Sequence, residues 1–270
     1  MKKLKYFALI LVLIAGVSLF GAWSPIPAEE TEIRYADAPI VSSIAGETIY
    51  FTSREVSENI TAGGAPTFCV TGTMKNACGA VAGSEIVAFY DKYYPELIPG
   101  WDSYYTSNGK YRIQNSTYIT PVMEELYTLM NTNVNGSGTT ESEFKSGLQT
   151  FFSNRNYSLS YQNVKSGSSM NFNACKAAVD ANKVMVLFIT PGDVYNISEE
   201  SDHDNLNAYT ISGNHIMIAF GYLEIKYYNA SGWFLTERFV KVATGHPYTT
   251  TGYYRINSSN LEAAYVVNVG

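Results

Sequence analysis

Cysteine and histidine are scarce in this chain, with three of each in 270 residues. Charged residues make up only 16%, and no basic patch stands out. That shortage excludes the cationic face that nucleic-acid binding needs. The apolar run Phe7–Phe20 is too short for a comfortable membrane span. No cysteine lies near it, which argues against a lipid anchor. No internal repeat, low-complexity linker or phosphate-binding glycine loop occurs. The odd cysteine count (Cys69, Cys78, Cys175) points to one free reactive thiol in an exported chain. Cys69 and Cys175 remain open to pairing.

What is present begins with an export signal. Lys2, Lys3 and Lys5 precede the apolar run, the order of a secretory leader over residues 1–28. The chain is therefore expected outside the cell, with no stable membrane anchor after the leader is cut. Removing 1–28 takes three lysines and no acid, leaving 15 basic against 24 acidic residues. Asn-x-Ser/Thr triplets at Asn59, Asn115, Asn135, Asn156, Asn196, Asn229 and Asn257 fit an Asn- and Ser-rich chain with a bacterial-type leader.

Residues 29–68 lack a helical period and read as an extended arm or a pro-segment, with a strand at Thr48–Thr52. The main domain spans 69–270. A helix is expected over 77–91, where Cys78, Val81, Ala82, Glu85, Ile86 and Phe89 follow the 3.6 period. Two amphipathic helices follow, Pro121–Met130 and Glu141–Phe152. Thr140 and Glu143 form a capping box for the second. Tyr157–Val164 alternates like a strand, and a helix at Asn171–Ala181 leads into the buried strand Val184–Ile189. Strands then run to the end. Helices first and strands last is an α+β order, with a cleft expected between a helical half and an antiparallel half.

Cys78 stands at a helix start, where unpaired N–H groups favour a thiolate. Asn76 is either its cap or an oxyanion donor. His215 opens the apolar run Ile216–Phe220 and needs a polar partner there. His203 lies among acids and reads as a solvated loop. The stretch Asn76–Tyr94 resembles the Cys helix of papain-like cysteine peptidases, most closely secreted relatives of the bacteriocin-leader peptidases. Gly213-Asn214-His215 with Phe220-Gly221-Tyr222 resembles that group's His strand. The separation of 137 residues matches papain-type spacing, roughly 130–150.

The resemblance implies a papain-like fold, a peptide or protein substrate, and acyl transfer with Cys78 as nucleophile and His215 as acid and base. It calls for no cofactor and no metal. Two positions depart from the family. Gly72 stands where an oxyanion Gln is usual. A hairpin turn at Asn229–Gly232 makes paired positions sum to about 461, so His215 faces Ala243–His246, where no Asn or Asp occurs. The imidazole's orienter is then Thr244, His246, a backbone carbonyl or water. Tyr93, Tyr94, Trp101, Tyr104 and Tyr105 either line a cleft or pack between the halves. An inactive extracellular binding module and a cell-wall amidase or transpeptidase are the competing readings.

Overall fold

Between Met185 and Ile189, and again from Ile216 to Phe220, every side chain is apolar and buried. Such runs arise where a sheet is covered on both faces. Here Val186, Phe188, Ile216 and Ile218 meet one core, while Leu187, Ile189, Met217 and Ala219 meet another.

A computed structural model describes residues 32–41, 46–70, 73–101 and 116–270. The leader, Thr71, Gly72, Tyr104 and Tyr105 fall outside them. The first strands are β1 (Arg34–Tyr35), β2 (Ile40–Val41), β3 (Glu47–Tyr50) and β4 (Ser53–Ile60). Then come α1 (Cys78–Asp91), α2 (Ser116–Leu129), β5 (Thr139–Thr140), α3 (Glu141–Ser153), β6 (Leu159–Asn163), β7 (Lys165–Ser166), β8 (Ser169–Met170) and α4 (Phe172–Asp180). The remainder is β9 (Met185–Ile189), β10 (Gly192–Glu199), β11 (His203–Ile211), β12 (His215–Asn229), β13 (Gly232–Ala243), β14 (Thr251–Arg255) and β15 (Leu261–Val269). The fold is α+β, as the element order predicts. Its main antiparallel sheet runs β2-β11-β10-β14-β13-β12-β9-β15-β6, with β3 on β11 and β4 on β12.

Helices α1, α2 and α3 supply the first core, where Ile86, Leu126, Leu148 and Phe151 are fully buried. Helix α4 supplies the second through Cys175 and Val179. The capping box at α3 is present: Thr140 Oγ1 accepts from Glu143 N, and Glu143 Oε2 accepts from Thr140 N. Asn171 caps α4 through Ala174 N.

Four expectations change. Helix α2 starts at Ser116 and carries Pro121 inside it. Burying Ile119 in the first core offsets the hydrogen bond that Pro121 cannot donate. Strand β4 is polar and largely exposed, so it has no apolar alternation to read. Backbone pairing with Gly221–Tyr228 of β12 holds it in place. His203 begins β11, with Nδ1 2.7 Å from Asp202 Oδ1. Its neighbour Asp204 is buried against Arg54 and Tyr227. Finally, the disulfide left open between Cys69 and Cys175 does not form.

Candidate active site

Helix α1 begins without a side-chain cap. Ala77 occupies the cap position. Asn76 adopts a left-handed φ of 56°, and its amide donates to Asn133 Oδ1 at 2.9 Å. The cap reading of Asn76 is therefore corrected, and its amide is already engaged elsewhere. An uncapped first turn leaves backbone N–H groups free for another acceptor. The acceptor is the thiol: the N–H groups of Cys78, Gly79 and Ile216 all favour its anion. Ile216 directly follows His215, so the sulfur lies at the mouth of β12.

His215 Nε2 lies 2.7 Å from the backbone carbonyl of Thr244. A carbonyl only accepts, so the neutral ring carries its proton on Nε2 and a lone pair on Nδ1. Nδ1 is buried and has no hydrogen-bond partner, the Cys78 thiol included. The orienter left open between Thr244, His246, a carbonyl and water is the Thr244 carbonyl. His246 has a second role: its ring stacks on His215, with centroids 4.9 Å apart and planes 26° apart.

The turn that supplies both contacts is built for it. Gly245 has φ +73°, and a Cβ added there would lie 3.2 Å from Val81 Cγ1 of α1. That conformation lets the Thr244 carbonyl and the His246 ring face the same imidazole. Thr244 Oγ1 donates to the Thr249 carbonyl and accepts from His246 N at 3.2 Å. Thr244 N donates to the Thr250 carbonyl at 3.0 Å.

An extended strap from the arm crosses this place. Arg34 and Tyr35 pair with Thr140 and Thr139 beside α3. Ala36 N donates to the Asn214 carbonyl at 3.2 Å, and Asn214 Nδ2 donates to the Arg34 carbonyl at 3.0 Å. Ser212 N and Oγ both donate to the Pro39 carbonyl. Ile40 and Val41 then join β11. Tyr35 anchors the strap, buried edge-on against Phe188 at 5.2 Å.

Cys78 is 3% and His215 2% exposed. Burial, with a smaller contribution from the Asp37 carboxylate, pushes the Cys78 thiol up to about 12. Burial also pulls His215 below its ordinary value, against the Thr244 carbonyl, Asp37 and the Ala36 carbonyl. His246 is pulled down to about 4, by burial first and by His215 second. The expected thiolate is thus not the ground state here. The helix N-terminus acts in the expected direction, but loss of water outweighs it.

Sequence reasoning missed Asp37 and its neighbours. Their one signal was Pro39, which holds Ala38 extended. Trp101 packs on Phe68, and Tyr94 on Tyr157, as structural contacts. No group of His, Cys, Asp or Glu suited to a metal occurs among the described residues. None of their helices is long and apolar enough to cross a membrane. No family model, curated protein or solved structure matches the chain, so its function rests on this geometry.

Proposed function

We propose that the chain is a secreted papain-like cysteine peptidase, held here in a closed state. The observation that carries the reading is the His215 ring: Nε2 bonded to the Thr244 carbonyl and Nδ1 buried and unpartnered, with the Cys78 thiol at an uncapped helix N-terminus meeting the N–H of the next residue, Ile216. A base needs a fixed tautomer with its lone pair free, and a thiolate needs converging N–H groups.

With the strap displaced, water and substrate reach the thiol and its burial penalty falls. His215 Nδ1 takes the Cys78 proton, giving thiolate and imidazolium. The thiolate attacks a peptide carbonyl, and the new oxyanion meets the Cys78 backbone N–H. The tetrahedral intermediate collapses, the C–N bond breaks, and His215 gives its proton to the leaving amine. A water then loses a proton to His215 and attacks the thioester, releasing the acid and the free thiol.

Peptide-library turnover tests the reading. The protein to use is Gly138→Ala, because a methyl there displaces the strap at Tyr35. Turnover that vanishes with Cys78→Ala and with His215→Ala supports a peptidase. Turnover that survives Cys78→Ala sinks it. The binding-module reading draws support from the burial and neutrality of both groups. It predicts a folded Gly138→Ala protein that cleaves nothing.

A further inference from the structure

Beside the dyad, a cavity of about 610 Å³ opens between the strap and the Thr244–Thr250 loop. Pro39 and Ile40 line it together with Tyr209 of the adjoining β11, and His246 and 247–249 line it from the loop. Its volume lies in the range of ligand sites, about 300–1,000 Å³. Among the described residues that line it there is no acid, Lys or Arg, and His246 is held neutral by burial and by His215. A second cavity of about 250 Å³ shares Tyr209, Tyr248 and Thr249 with the first and adds Tyr195, Asn196, Thr250 and Thr251. The two form one groove, apolar near His246 and lined by hydroxyl and amide groups farther out.

His246 ties the groove to the chemistry, because the same ring is its wall and the stacking partner of His215. The strap gives it a direction. Ala36 and Asp37 act on the dyad, and Pro39 and Ile40 reach the groove two to three residues later. In extended chain that is about 7–10 Å, at about 3.3 Å per residue.

We infer that this groove binds the leaving-group side of a peptide substrate. It takes an uncharged segment with an apolar or aromatic residue two to three positions after the cleaved bond. The word substrate rests on the peptidase reading; the direction rests on the strap. Pro39 and Ile40 are a resident example of such a segment. The open volume beside them admits side chains larger than theirs.

The test uses the full chain and the iodoacetamide labelling rate of Cys78, which needs no turnover. Ile40→Glu should raise that rate about tenfold, the factor that burial of one aliphatic side chain supplies. Tyr209→Ala, which removes a lining ring on β11 and leaves the strap's own sequence intact, should also raise it. Ile40→Phe should leave it unchanged or lower it. A synthetic peptide of residues 35–41, added to the Ile40→Glu protein, should restore slow labelling. The same peptide with Glu at the Ile40 position should not. Equal labelling of wild type, Ile40→Glu and Tyr209→Ala overturns the inference, as does equal protection by both peptides. Selective protection without cleavage of any peptide would sink the peptidase reading and leave the groove's apolar preference standing. Cleavage indifferent to the second and third residues after the bond would do the reverse.

Discussion

Gly138 is a point at which the strap can be moved without substituting Cys78 or His215. Its φ is +81°, and a Cβ placed on it would lie 1.8 Å from the Tyr35 carbonyl oxygen. Non-bonded contacts settle near 3.5 Å, so the Gly138→Ala methyl must drive that carbonyl back by more than about 1 Å. The β1–β5 ladder consists of two residue pairs, Arg34 with Thr140 and Tyr35 with Thr139. Losing it removes about 1–2 kcal/mol of net hydrogen bonding. That is about five- to thirtyfold more strap-open protein. A left-handed Ala also costs about 1–2 kcal/mol, so global stability should fall by a similar amount. Iodoacetamide labelling, read by peptide mass spectrometry, should show Cys78 reacting about five- to thirtyfold faster. Cys175, fully buried in the second core, is the internal control and should stay protected. Unchanged Cys78 labelling, or Cys175 labelling that rises in step, would refute the claim that the strap guards the thiol.

Three other outcomes are expected. His215 and His246 are both neutral in the fold below their ordinary value of 6.5. The unfolded chain then binds more protons, so stability is complete above about pH 6.5 and falls as pH drops toward about 4. His246 supplies part of that fall; denaturant midpoints from pH 7 to 4 should show it, and His246→Phe should shrink it. Glu85 is fully buried, with its pKa held well above the ordinary carboxylate value by burial, and it accepts from Phe68 N at 2.8 Å. Because the group is already neutral, Glu85→Gln should leave urea stability near wild type, whereas Glu85→Ala should cost about 1–3 kcal/mol by orphaning Phe68 N. Arg54→Ala strands the fully buried Asp204 carboxylate and should cost about 3–5 kcal/mol in the same assay.

Much of this was legible in the sequence where a side chain states its environment. Cys78 at a helix start, His215 entering an apolar strand, and the Thr140–Glu143 box each carry a local pattern with one good structural solution. The hairpin arithmetic placed Ala243–His246 beside His215 because turn chemistry fixes register. The strap was not legible. Most of the contacts that place it are made by its own backbone, to Thr139, Asn214 and Ser212, and main-chain groups leave no trace in side-chain periodicity. The same is true of β4. Nor could the sequence give the charge state of Cys78, because helix N–H groups are local while burial depends on a segment some forty residues upstream. The orienter stayed open between Thr244, His246, a carbonyl and water because it is a backbone carbonyl, which every residue has.

The β12–β13 hairpin carries a last consequence. Its paired positions sum to 461 at the turn, 462 from Tyr227 with Leu235 to Gly221 with Lys241, and 461 again from Ala219 with Val242. Two register shifts cancel like opposite errors in a vernier. One residue deleted at either shift would preserve the turn and most of the pairing, yet would set His215 opposite the wrong residue of the returning chain. Length changes in this hairpin are therefore tolerable only in compensating pairs, whatever the exposed residues between them become.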